Sequence, residues 1–259
     1  MKNKKTMFRM LMCFLVTVFV AGSLNAQPNK GYEIMKKYDE LKEPKDSYSE
    51  GTLVLKNKKG NVKKREMIVY SKKQTAGYDS FFEILKPADV AGMKFLTIAQ
   101  KGDDEQRMYL PAFGKSRKIS GSGKDGKFLG SDLYFYDLED HDLDDYTYKY
   151  IKDEEWDGKS CFVVESYPVD KDAPYSKIIN WVCKDDYYVY KVEMYDKKQN
   201  RLIKTSVINK TEIIEGIILP LEMEIKHHLD NHNTMYYQGA YKIDVGIGDE
   251  VFMVQNLEK

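Results

Sequence analysis

RMYLPAFGKSRKISGSGKDGKFLGSDLYFYDLED, residues 107–140, places strand-like apolar and aromatic pieces on either side of a basic, Gly- and Ser-rich centre. Tyr109-Leu110-Pro111 ends a strand, because a residue before proline favours extended backbone and proline cannot extend a ladder. Lys115, Arg117 and Lys118 follow, and Gly121, Gly123 and Gly126 then leave the chain flexible. Phe128-Leu129-Gly130-Ser131-Asp132 returns to order and leads into the aromatic run of Leu133, Tyr134, Phe135 and Tyr136. Two readings fit: a long hairpin with a charged tip, or a mobile charged loop pinned at both ends into something apolar. Long loops in compact domains often carry function.

Outward from this stretch the pattern is that of an antiparallel β protein. GTLVLKN (51–57), REMIVYSKK (65–73) and FFEILKP (81–87) are short, β-branched or aromatic, and separated by turns such as Asn57-Lys58-Lys59-Gly60. Residues 93–99 and 107–110 continue the series. Residues 146–156 alternate, with Tyr146, Tyr148 and Tyr150 on one side, and Asp157-Gly158 turns the chain into 161–167. Strands over 178–183, 187–195, 202–214, 217–229 and 233–243 complete about ten or eleven. One amphipathic helix precedes them over 31–42, with Ile34, Met35, Tyr38 and Leu41 at helical spacing and Pro44 beyond its end. The last residues can close with a turn of helix from Asp249. A sheet of this length must curl or split, and one helix cannot cover a flat face. The parts fit a mainly β fold: a curved antiparallel sheet forming an incomplete β-barrel, plugged by the helix and loops around an apolar concavity. Twenty Tyr and 11 Phe suit such an interior.

The first residues carry Lys2, Lys4, Lys5 and Arg9 ahead of an apolar run over 10–21 and the small-residue pattern Leu24-Asn25-Ala26. This predicts a secretory signal peptide over 1–26, cleaved after Ala26, since the run is shorter than the roughly 20 residues that cross a bilayer. Cys13 lies inside the run, so no lipidated N-terminal cysteine is marked. Residues 27–259 then form a single exported domain with 37 Lys+Arg against 41 Asp+Glu, a balance that points away from nucleic acid. Cys161 and Cys183 lie in SCFVVESYP and SKIINWVCK, either side of the turn-like VDKDAPY. A hairpin centred on Asp172 sets them directly opposite each other, which leaves open a cross-strand disulfide or two reduced, packed thiols.

Catalytic patterns are missing from the sequence: it has no G-x-S-x-G elbow, H-E-x-x-H helix, P-loop or C-x-x-C. Carboxylates crowd His141 over 137–145, but without calcium-loop spacing a solvated acidic turn is the better reading, and no metal or cofactor is expected. His227 and His228 are adjacent on a strand, so one packs and one faces solvent.

The run Met108-Tyr-Leu-Pro-Ala-Phe-Gly-Lys-Ser-Arg-Lys-Ile119, followed by Phe128-Leu-Gly-Ser-Asp-Leu-Tyr-Phe-Tyr-Asp-Leu138, closely resembles the bacterial outer membrane lipoprotein-sorting protein family, which is LolA-like. Its members show a run like YLPALGKVRRI, then Phe-x-Gly-Ser-Asp and an aromatic-acidic pair ending in Asp-Leu. The resemblance extends through Gly92-Met93, Phe95-Leu96, Pro220 and Phe252. It implies the incomplete β-barrel of LolA and LolB, with helices covering a cavity for acyl chains, and a periplasmic, non-enzymatic carrier of a lipid or an acylated lipoprotein. Implied partners are an inner-membrane exporter of the resistance-nodulation-division type or an outer-membrane acceptor. On this reading Tyr109, Phe113, Phe128, Leu129, Leu133 and Phe135 bind ligand near the mouth, and Lys115, Arg117 and Lys118 contact an anionic headgroup or a partner. The alternative is a periplasmic adaptor that docks onto an exporter, its core filled by side chains, and never carries lipid.

Overall fold

The structure, a computed structural model, describes residues 29–119 and 121–258, apart from the side chain of Ser122. The signal segment expected over 1–26 lies outside the described residues. Among those residues the chain forms one α-helix, α1 (Lys30–Asp39), and thirteen strands. These are β1 (Asp46–Lys56), β2 (Val62–Gln74), β3 (Gly77–Lys86), β4 (Lys94–Ile98), β5 (Glu105–Leu110), β6 (Lys115–Ile119) and β7 (Tyr146–Trp156). The series continues with β8 (Lys159–Pro168), β9 (Tyr175–Cys183), β10 (Val189–Asp196), β11 (Leu202–Ile214), β12 (Ile217–His227) and β13 (His232–Ile243). The expected helix ends three residues early, where the Leu41 N–H turns back to the Tyr38 carbonyl before Pro44.

All thirteen strands pair in one antiparallel sheet, in the order β6-β5-β4-β3-β2-β1-β13-β12-β11-β10-β9-β8-β7. Two meanders therefore join at a β1–β13 seam, and their outermost strands, β6 and β7, are the free edges. Tight turns make the meanders: Asp157-Gly158 and Glu215-Gly216 both hold their two central residues at positive φ, the hairpin geometry that matches strand twist. Register shifts at Ser49/Gly51, Tyr150/Lys152 and Ile208/Lys210 add kinks that help so long a sheet to curve. Between β8 and β9, Cys161 faces Cys183 and Phe162 faces Val182, as a hairpin centred on Asp172 requires.

Alternation divides the apolar side chains between two faces. On the concave face, Leu53, Leu55, Met67, Ile84 and Phe95 form one cluster, while Tyr148, Val164 and Val182 form another with Ile34 and Met35 of α1. On the convex face, Phe81 and Leu96 are covered by Phe252 and Leu257 of the C-terminal segment, which includes the expected turn of helix at Asp249–Phe252. Asn29 caps α1: its Oδ1 accepts the Gly31 N–H at 3.0 Å, and its Nδ2 donates to the Tyr148 carbonyl of β7 at 2.6 Å. Gly31 has no side chain because a Cβ there would lie 2.8 Å from the Tyr150 nitrogen.

Lys115–Ile119, read from sequence as loop, is the edge strand β6. The Gly-rich centre is not a solvated charged tip either. Lys124 is 4% exposed and pairs with Glu139 at 2.8 Å, while Phe135 N–H and Tyr136 N–H return to the carbonyls of Gly126 and Lys124.

Candidate functional site

Because β6 and β7 are opposite edges, the residues that join them must traverse the sheet, and they do so over its concave face. Two polar anchors, one buried and one half-buried, hold this crossing segment. Asp132, fully buried, accepts Thr234 Oγ1–H at 2.7 Å and faces His232 Nδ1 at 2.7 Å, both on β13. Asp137 takes Lys204 Nζ of β11 at 2.9 Å and the Tyr175 hydroxyl of β9 at 2.7 Å. Lys204 is fully buried, with Nζ 3.1 Å from the centre of the Tyr134 ring. Burial pushes its pKa down, and Asp137 opposes the shift.

The crossing segment treats the two halves of the barrel differently. Over β1–β5 its Phe128 and Phe135 interleave with Phe82 and Phe95 at ring separations of 5.4 to 6.2 Å, and a gap of only about 10 Å³ remains. Over β8–β12 it stands off the sheet. There a cavity of about 640 Å³ opens between the strands and a roof made by α1, the turn that follows it and residues 133–143. Ile178, Val192, Met194, Leu219 and Ile225 form its apolar floor, and Met35, Leu41, Leu133 and Leu143 its roof. Asp39, Glu43, Asp140 and Asp142 also line it. Partial desolvation against the cavity, reinforced by the neighbouring carboxylates, holds the Asp39 and Asp140 carboxyls above their ordinary range although both residues keep one side in solvent.

Of the residues singled out from sequence, the structure brings Phe128, Leu129, Leu133 and Phe135 into one packed cluster, and Leu133 alone of them also lines the large cavity. Tyr109 packs on the convex face beside Phe81 and Leu96. Phe113 is 63% exposed beneath the Arg117 guanidinium, and Lys115, Arg117 and Lys118 sit on the free edge strand, lining no part of the cavity. Cys161 and Cys183 are buried, free thiols in this structure, and burial raises Cys161 to about 11, far from a reactive thiolate. His227 is buried and His228 exposed, as adjacent strand positions require. His141 lines the cavity, its ring 4.5 Å from that of Tyr136. Among the described residues no group of three or more His, Cys, Asp or Glu is placed to hold a metal ion, and no helix is long and apolar enough to cross a membrane.

The cavity floor on β9–β12 escaped the sequence reading. Alternation on those strands announces a buried face, but not that its cover stands clear of it.

A family model described as "-like: Uncharacterized protein" matches residues 77–259. No curated protein matches the chain. Among solved structures, an outer membrane lipoprotein-sorting protein domain from Vibrio parahaemolyticus is similar at a TM-score of 0.85 and 28% identity, covering 89% of this chain and 99% of that one. A DUF1329 family protein from Desulfovibrio piger gives 0.83 and 33% identity over 88% of this chain and 97% of its own. A LolA superfamily protein from Nitrosomonas europaea shares the fold, at a TM-score of 0.69 and 21% identity over 86% of this chain and 97% of that one.

Proposed function

This chain belongs to the LolA-like outer membrane lipoprotein-sorting family, and from that premise we propose that it is a periplasmic carrier of a lipid or of the acyl chains of a lipoprotein. The observation that carries the reading is the cavity of about 640 Å³ beneath α1 and the crossing segment, with its floor of Ile178, Val192, Met194 and Ile225. Burying about ten methylenes there gains about 8 kcal/mol. That is roughly the free energy of micromolar affinity before the costs of ordering are counted. No directed chemistry is needed, and no residue is assigned a catalytic role. Acidic side chains line part of this cavity, so the basic residues Lys115, Arg117 and Lys118 serve a partner rather than the cargo in this reading. An exporter of the resistance-nodulation-division type or an outer-membrane acceptor would meet them, with Phe113, on the free edge of the sheet. The adaptor reading uses that same edge but needs a filled interior.

Native mass spectrometry with lipid extraction, on protein purified from the periplasm, tests the carrier reading. It should show a bound acyl-containing mass, and delipidated protein should take up a fluorescent fatty acid. Val192→Trp, which fills the floor, should weaken uptake at least about tenfold while leaving the far-ultraviolet circular dichroism unchanged. Protein that carries no lipid and takes up no fatty acid would return the adaptor reading to first place.

A further inference from the structure

The cavity floor is not uniformly apolar. Ser166 of β8, Asn180 of β9 and Ser206 of β11 line it among Ile178, Val192 and Ile225. In the ladder Asn180 and Ser206 each face Val192, one from either side, so two polar side chains on β9 and β11 flank an apolar one on β10. Asn180 is 7% exposed and Ser166 4%. Asn180 Nδ2 donates to Ser166 Oγ at 2.8 Å and to the Val164 carbonyl at 3.4 Å. The carbonyl fixes the amide's orientation, since a flipped side chain would set oxygen against oxygen.

Both amide protons are thereby spent, and Asn180 Oδ1 has no protein donor among the described residues. Ser166 Oγ, which receives one of them, still has its own proton to give, and no protein group among the described residues takes it. An acceptor and a donor therefore stand side by side within an apolar wall. A wall serving hydrocarbon alone would be better built from Val or Leu, because a buried polar group left unpaired when dry ligand fills the site is costly.

Resting on the carrier reading, we propose that the ligand of this cavity bears a group that both donates and accepts a hydrogen bond on one side, a hydroxyl or a primary amide set against its hydrocarbon. Asn180 Oδ1 takes its proton and Ser166 O–H supplies one in return. Asn180 is then the specificity-determining residue of the cavity. A site that hydrogen-bonds such a group rejects the analogue lacking it far more strongly than an apolar site separates homologues.

The test is displacement of a fluorescent fatty acid from the full-length exported protein. The competitors are stearic acid, monohydroxystearic acids with the hydroxyl at different carbons, and stearamide, which separate the hydroxyl source from the amide. At least one polar ligand should outcompete stearic acid by roughly tenfold or more. Asn180→Leu should abolish that preference while holding or improving the affinity for stearic acid. Ser166→Ala, a smaller change to the core, should reduce the preference in the same direction. The proposal is overturned if stearic acid binds as well as every polar competitor, or if both variants shift all ligands equally. Uptake of none of the probes would instead overturn the carrier reading, and this inference with it.

Discussion

Lys204 carries an ammonium group to a point with no exposure to water, where Asp137, the Tyr175 hydroxyl and the Tyr134 ring receive it. Nothing in LIKTSVINK marks it off from the exposed lysines of other strands, because its partner lies 67 residues away in the crossing segment. By contrast, the pairing of Cys161 with Cys183 was legible, since a hairpin register depends only on local turn geometry. Breaking a buried ion pair from one side leaves the other charge stranded. Lys204→Met should therefore cost about 3–5 kcal/mol in urea denaturation. Adding Asp137→Leu should recover most of that loss, because two apolar groups replace the pair without leaving a charge behind. A double variant less stable than Lys204→Met would show that the two side chains do not act as a pair.

At the scale of elements, α1 was readable from the spacing of Ile34, Met35 and Tyr38, and its docking depends on one residue before it. Asn29 both caps the helix and bonds the β7 backbone, so Asn29→Ala should cost about 1–2 kcal/mol. Hydrogen exchange should show the loss confined to α1 amides, with the sheet amides unchanged. Faster exchange across the whole sheet would mean that the helix is integral to the barrel rather than a lid on it. β6 was the strand that sequence concealed. KSRKI lacks apolar alternation because an edge strand exposes one ladder side to water and is protected by charge. The crossing segment was also misread at its centre: Lys124 and the glycines carry loop composition, yet backbone hydrogen bonds to Phe135 and Tyr136 fold them onto the sheet.

For the whole molecule, pH acts through carboxyls placed where burial disfavours charge. Asp79 and Asp104 are buried, and burial raises both above the ordinary carboxylate range even though each accepts backbone N–H groups. With a folded pKa above the unfolded one, each binds its proton in the folded state first. Their contribution to stability therefore grows as pH falls from neutral toward about 4. Glu66, lowered to about 2 by Lys86 and Lys64, works the other way, but its contribution begins to be lost only as pH falls through about 4.5, at the acid end of that window. His227, lowered by burial, works the other way below about 6.5. Denaturation of the native protein and of Asp79→Asn/Asp104→Asn across this range isolates the carboxyls: the stability advantage of the native form should increase as the solution is acidified. A pH-independent difference would refute that assignment. The barrel itself was legible because alternation and turns are local, whereas the cavity was not, since it depends on how far two remote elements stand apart. The order of the strands has one more consequence, for the route by which the chain folds. Each meander closes through turns of a few residues at small entropic cost, but the β1–β13 seam joins residues nearly 200 apart, such as Ser47 and Ile243. The crossing segment can settle only after both meanders exist, so the greasy concave face is the last surface to be shielded. A newly made chain thus passes through a stage at which it is itself an apolar client, exposed to aggregation until its own roof arrives.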